Sequence, residues 1–277
     1  MNADQIDHLN AFGFVVLKSL FRSDEMKIIE AAAQEIWNED ARDHERLEER
    51  QQVNGIVERS AFLTSLLCDD RIYESVRVIL GNDLIWIGSD GSRYFENTGW
   101  HSDGSNFDCR RIKALFYLDR LTRDTGSLRV FPGSHKGDFH RVLTSLLQRS
   151  DLRMTPYGVR APFREHSNLR VFGMSPFDLP AWAVETNPGD VVFFDQNIWH
   201  SSYGGKPGRA LISMTFGESP RTEQALAFVG QMYAGQLEHV RTRQWSPRTE
   251  LFGEQFLRDQ RPRLKRMLSA IDKLHAR

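Results

Sequence analysis

Only two cysteines, Cys68 and Cys109, occur in the 277 residues. A disulfide framework or a cysteine-rich zinc site needs more. So few thiols suit a reducing compartment, and a cytoplasmic location is expected. Long apolar runs are also missing. Nothing approaches the roughly 18 uninterrupted apolar residues that cross a bilayer. The opening MNADQIDHLNAFGF lacks the basic-then-apolar order of a signal peptide. Net charge is scarce as well: 36 Lys plus Arg face 37 Asp plus Glu. That balance gives no general attraction to nucleic acid or to an anionic membrane, so neither is expected as a partner. What remains, 40% hydrophobic and 26% charged residues, is the composition of a soluble globular enzyme able to bury a substantial core.

The neutrality is a cancellation. Residues 23–59 hold 11 acids and 5 bases, whereas residues 241–277 hold 10 bases and 4 acids. These opposite flanks are expected to meet, within one chain or across a homodimer.

No repeat, low-complexity tract or Gly/Ser linker divides the chain, which is read as one domain, residues 1–277, in three parts. Residues 1–83 form a helical flank after an extended segment at Phe12–Phe21. Met26, Ile29, Ala33, Ile36 and Trp37 recur at three- and four-residue spacing, the buried stripe of a helix behind an N-cap at Ser23. The charged stretch from Asn38 to Gln52 reads as a solvated helical face or a loop, with a lid over a site as the sharper alternative. A second helix is predicted over Ser60–Leu80. Residues 84–217 change to short runs (LIWIGS, IKALFYLD, SLRVFPGS, VVFFDQNIWH, ALISMTFG) punctuated by Gly and Pro, which predict strands of an antiparallel sandwich or barrel. Residues 136–184 read as an insertion with a short helix at Arg141–Gln148. Helical periodicity returns in residues 218–277. The fold class is therefore mainly β with flanking helices.

The chemistry concentrates in NTGWHSDGSNFD. In an extended segment residues two apart share a face, so His101 and Asp103 can converge on one metal. His-x-Asp alone is a weak signal and needs a third ligand from a distant strand. His200, at the end of VVFFDQNIWH, supplies one. Two histidines and a carboxylate leave adjacent positions open, the arrangement of non-haem Fe(II) oxygenases. Arg209 follows nine residues later. A hairpin would set it beside His200, where its planar fork can pair with the carboxylate of a metal-bound co-substrate.

Taken in order, FGFVVLKSLFRSDEM, WHSDG, LFYLDRLTRDTGSLRVFPGSHK, NPGDVVFFDQNIWHSSYGG and Arg209 make residues 5–217 resemble the phytanoyl-CoA dioxygenase family of Fe(II)/2-oxoglutarate oxygenases. The resemblance implies a double-stranded β-helix, or cupin-like jelly roll, as the core. It implies iron on His101, Asp103 and His200, and the C5 carboxylate of 2-oxoglutarate on Arg209, assisted by Ser202. Dioxygen is the second co-substrate, and succinate and CO2 leave as a small metabolite or natural product is hydroxylated or otherwise oxidised. Asp103 argues against halogenation, because related halogenases lack this carboxylate. Two rivals share the ligands: a cupin-like metal hydrolase or isomerase, and a non-catalytic binding barrel. Arg209 disfavours both.

Other residues near these motifs have plainer readings. His135 in PGSHK belongs to a turn, and His8, His44, His140, His166, His239 and His275 are read as surface or locally bonded. Cys109 is read as a small apolar residue. Trp100, Phe107 and Trp199 either line a pocket or pack the barrel. Arg110, Arg111 and Arg120 are candidates for an anionic substrate but more commonly pair with acids. Lys113 is a candidate second contact to the co-substrate.

Overall fold

The computed structural model describes residues 1–41, 51–94, 98–104, 107–149, 179–202, 204–205, 207–242 and 249–275. The charged segment read as a loop or lid falls largely outside them, as does residues 150–178 of the insertion.

The chain opens with α1 (Ala3–Phe12), started by a capping box in which Asn2 and Gln5 each bond the other's backbone N–H. Strand β1 (Phe14–Leu17) leads to α2 (Ser23–Ala41). The predicted stripe Met26, Ile29, Ala33, Ile36 and Trp37 is buried. The second predicted helix is two helices, α3 (Ala61–Leu66) and α4 (Asp70–Leu80). Asp69 breaks the run because its carboxylate caps α4 by accepting the Arg71 N–H.

Among the described residues the β-core has ten strands, all neighbours antiparallel. Besides β1 they are β2 (Gln51–Asn54), β3 (Ile85–Tyr94), β4 (Thr98–His101), β5 (Arg111–Tyr117), β6 (Leu128–Val130), β7 (Trp182–Val184), β8 (Val191–Asp195), β9 (His200–Ser202) and β10 (Arg209–Gly217). One sheet runs β1-β8-β5-β10-β3-β2 and the other β4-β9-β6-β7. Period-two alternation divides the larger sheet's side chains between two compartments. Ile112, Ala114, Phe116, Val191, Phe193, Ile212, Met214 and Phe216 face Ile29, Trp37, Ile72 and Val76 of the helices. Leu115, Tyr117, Val192, Phe194 and Leu211 point the other way, onto Leu128 and Val130 of the smaller sheet. Burying each of these large side chains stabilises the fold by roughly 1.5–3 kcal/mol. Lys113 shares the inner face with Leu115 and Tyr117, so a cation stands among apolar neighbours inside the jelly roll.

Two expectations need correction. First, the apolar run Val191–His200 is not one strand. Residues 196–199 turn from β8 in the larger sheet to β9 in the smaller, with the Asp195 carboxylate accepting the Asn197 N–H. The hairpin expected between His200 and Arg209 is therefore a crossing between sheets. Second, the predicted insertion extends too far: Trp182–Val184 is a core strand pairing with β6. The helix expected at Arg141–Gln148 starts earlier, as α5 (Gly137–Arg149).

The C-terminal residues form α6 (Glu223–Thr242), α7 (Glu254–Leu257) and α8 (Pro262–His275). Leu264, Met267 and Leu268 of α8 pack into the helix-side core. Among the described residues no ion pair joins residues 241–277 to residues 23–59, and residues 42–50 of the acidic flank lie outside them. Arg263 pairs with Asp70 at 2.6 Å and Glu74 at 2.9 Å, both on α4. None of the described helices is long and apolar enough to cross a membrane.

Candidate active site

The two sheets bring together residues far apart in sequence. His101 ends β4, His200 begins β9, and the two are paired in register across the smaller sheet. Their rings lie 4.2 Å apart. Asp103 lies just beyond β4 and reaches back, with Oδ1 at 3.6 Å from His101 Nε2 and 3.9 Å from His200 Nε2. One ligand atom from each residue falls within 4.8 Å of the others, a spacing that a single ion can bridge.

The surroundings fix the chemistry of each donor. His101 donates its Nδ1–H to the Gly99 carbonyl at 2.7 Å, and His200 donates its own to the Ile198 carbonyl at 3.0 Å. Each bond sets the tautomer, so both Nε2 lone pairs face the gap, as in imidazoles that ligate metals. Burial lowers the His200 pKa to about 3, helped by the neighbouring His101, which keeps its ring neutral. Burial would raise the Asp103 carboxyl, but Lys113 and the two imidazoles outweigh it and hold Asp103 well below the usual carboxylate range. The Lys113 ammonium bonds Asp103 Oδ2 at 2.6 Å, leaving Oδ1 turned to the histidines. Two imidazole nitrogens and one carboxylate oxygen at this spacing suit a divalent first-row metal.

Arg209 opens β10 and is almost wholly buried. Its Nη1 donates to the Gly126 carbonyl at 2.5 Å and to Ser202 Oγ at 2.6 Å, while the Ser202 hydroxyl donates to the same carbonyl at 2.7 Å. Two glycines make room for it. A Cβ on Gly126 would stand 2.7 Å from Arg209 Cζ and closer to Nη1, and one on Gly205 would stand 2.6 Å from Nε. A guanidinium held in this way has the fork geometry to pair with a carboxylate.

The triad opens into a cavity of about 300 Å³. Its walls include Thr98, Lys113, Tyr117, Phe194 and Ser213, together with Ser202 beside Arg209. A second cavity of about 400 Å³ adjoins it, sharing Gln52, Asp90, Asp103 and Lys113. Gln52, Asp90 and Ser213 carry no motif, and sequence reasoning missed them. Lys113, a candidate second contact to the co-substrate, pairs with Asp103.

The plainer readings fare as follows. His135 sits away from the triad, against the Asn10 carbonyl at 3.2 Å. His140 is not on the surface: it is buried, bonds the Asn197 carbonyl at 2.9 Å and packs near Phe107 and Trp199. Trp100 belongs to a small core with Phe131, Leu143 and Leu179, and does not line the cavity. Cys109 is buried among Ile85, Ile87 and Val229. His44 and His166 lie outside the described residues, and Arg110 pairs with Asp195 at 3.2 Å.

The family model for phytanoyl-CoA dioxygenase (PhyH) matches residues 9–206. An ectoine dioxygenase of Sphingopyxis alaskensis is 26% identical over 233 residues, spanning 74% of this chain and 71% of that protein. Another, from Bordetella bronchiseptica, is 24% identical over 73% of this chain and 70% of its own length. Among solved structures, HygX from Streptomyces hygroscopicus with nickel and 2-oxoglutarate bound aligns with a TM-score of 0.62, at 18% identity, over 80% of this chain and 89% of its own. EctD from S. alaskensis with bound iron gives 0.57, at 21% identity, over 79% and 77%. At such identities these structures speak to the fold, a jelly roll with flanking helices. The family match covers well over half the chain, and the chain belongs to the phytanoyl-CoA dioxygenase family of iron- and 2-oxoglutarate-dependent oxygenases.

Proposed function

We propose that His101, Asp103 and His200 hold Fe(II), that Arg209 with Ser202 holds the C5 carboxylate of 2-oxoglutarate, and that a small polar molecule is hydroxylated in the adjoining space. The observation that carries this reading is the facing set of two Nε2 atoms and one carboxylate oxygen, each oriented by its own second hydrogen bond. Iron with 2-oxoglutarate and dioxygen supplies the oxidant, so that one oxygen atom enters a substrate C–H bond, the other enters succinate, and CO2 leaves.

The chain's own part is orientation and exclusion. The Gly99 and Ile198 carbonyls hold the imidazoles, and Lys113 holds Asp103 so that one oxygen stays available. Arg209, with Ser202 as its second partner, aligns the co-substrate through its distal carboxylate and leaves the keto-acid end toward the metal. Phe194, Leu128 and Leu211 wall the cavity with apolar surface and limit water at the reacting centre. A cavity of about 300 Å³ with many polar groups suits a compact, hydrophilic substrate better than a fatty acyl chain. The relatives are consistent with small-molecule chemistry: two are named ectoine dioxygenase, and HygX was solved with hygromycin B bound.

Succinate release tests the reading. Aerobic wild-type enzyme with Fe(II) and 2-oxoglutarate is expected to release succinate, slowly without substrate and faster with it, and Asp103→Ala to release none. Normal turnover by Asp103→Ala would overturn the ligand assignment.

A further inference from the structure

Arg111 begins β5, two residues before Lys113, and its side chain lies in the wall of the second cavity. It is only 6% exposed. Nη1 sits 3.2 Å from Met232 Sδ, and the guanidinium carbon lies 5.1 Å from the centre of the Phe228 ring, both on α6. Nε and Nη2 are buried and donate to nothing among the described residues. The nearby carboxylates are engaged elsewhere: Asp103 by Lys113, and Asp195 by Arg110. Gly104 lets the guanidinium come this close to the loop after Asp103. A Cβ there would stand 3.0 Å from Cζ and closer still to Nη2.

A buried cation with idle donors destabilises the protein that carries it, so its retention needs a reason. The idle atoms supply one. Nε and Nη2 form one edge of the guanidinium, whose parallel N–H groups match the two oxygens of a carboxylate. The second cavity, which Arg111 lines, is polar, with Asn54, Gln196, Thr215 and Gln236 in its walls, and Gln196 Oε1 is likewise buried without a partner among the described residues. Through Asp90, Asp103 and Lys113 the cavity borders the metal triad. Arg209 is a different receptor, built beside Ser202 and Gly126.

Resting on the oxygenase reading above, we propose that Arg111 receives the carboxylate of the substrate. The substrate class is then a small, polar carboxylic acid of amino-acid or hydroxy-acid type. It is held in the second cavity with a C–H bond directed at the metal site.

The test uses matched probes: small amino and hydroxy acids, each against its own carboxamide, at millimolar concentration. With wild-type enzyme, Fe(II) and 2-oxoglutarate, at least one acid is expected to accelerate succinate release. Its carboxamide should be at least tenfold weaker. Arg111→Gln should lose roughly 100-fold in kcat/KM for that acid and no longer separate acid from amide, with Arg111→Lys recovering part. The visible band of the anaerobic iron–2-oxoglutarate complex should still form in Arg111→Gln, reporting a folded and loaded site. A metal-free arm reads binding alone: the acid raises the melting temperature of wild type and not of Arg111→Gln. Arg111→Met without ligand should melt at or above wild type, whereas a structural arginine would make it melt lower. Where wild type releases succinate, amides as effective as acids, no active acid in the panel, an unaffected Arg111→Gln, or a lower-melting Arg111→Met would each overturn the proposal. Absence of succinate from wild type, with the melting response intact, would sink the oxygenase reading and leave the Arg111 site standing.

Discussion

Gly126 makes a demanding test of Arg209, because the change leaves the arginine itself in place. Gly126 has φ +88° and Gly208 has φ +88°, so alanine at either costs about 1–2 kcal/mol in the left-handed region. The two sites differ in their surroundings. A Cβ on Gly208 meets nothing within 4 Å, whereas one on Gly126 stands 2.7 Å from Arg209 Cζ and 2.8 Å from Gly205 Cα. Ordinary contact begins at 3.4 Å, so Cζ must retreat by about 0.7 Å, and Nη1 by more. Misplacement on that scale can cost up to about 100-fold in an oriented site. Losing one charge-assisted hydrogen bond costs about 1.5–3 kcal/mol. Gly126→Ala is therefore expected to raise the KM for 2-oxoglutarate roughly 10- to 100-fold, and Gly208→Ala to leave it within about twofold. Gly208→Ala should lose a few degrees in melting temperature and Gly126→Ala more, because its Cβ also meets the Gly205 backbone. Succinate formation against 2-oxoglutarate concentration, with thermal melts of both variants, reads the result. Equal KM values in the two variants would refute the role given to the Arg209 pocket.

Three further expectations follow from the same geometry. Ser202→Ala removes the hydroxyl shared by Arg209 and the Gly126 carbonyl. It should raise the KM for 2-oxoglutarate by about 2- to 10-fold, as loss of one ordinary hydrogen bond would; an unchanged KM would assign Ser202 to packing alone. Lys113→Met strands the Asp103 carboxylate and should destabilise the metal-free protein by about 2 kcal/mol, with iron narrowing the deficit because the metal replaces the ammonium's charge; a deficit that iron leaves unchanged would contradict the pairing. In the metal-free protein His200 titrates near 3 rather than 6.5, so as pH falls the unfolded chain takes up the proton first. The stability His200 contributes is complete above pH 6.5 and is lost between pH 6.5 and 3. His200→Gln should flatten the pH dependence of stability in that window, and parallel profiles would argue against a buried neutral ring.

The sequence made the triad legible because its signal is local. Two residues apart in an extended segment share a face, and His101 and Asp103 needed only one distant partner. Arg209 was legible by its position after that partner, but its geometry was not. The apolar run through Val191–His200 conceals a change of sheet at residues 196–199, which only long-range pairing reveals. Strand β2 was invisible for a related reason: Gln-Gln-Val-Asn has little β propensity and is held by its pairing with β3. Lys113 did carry a signal, a cation inside the apolar run IKALFY, and the partner it would choose was beyond reach. Arg111 is the extreme case. Whether an arginine finds an acid is a three-dimensional fact, and neighbouring Arg110 found one while Arg111 did not.

The most direct test of the whole site is an anaerobic titration of the metal-free protein, first with Fe(II) and then with 2-oxoglutarate. A weak visible charge-transfer band should grow to one equivalent of each in the wild type. It should fail to form in Asp103→Ala and need much more 2-oxoglutarate in Arg209→Met. A wild type that gives no band, or an Asp103→Ala variant that gives the wild-type band, would contradict the assignment of His101, Asp103 and His200 as the iron site.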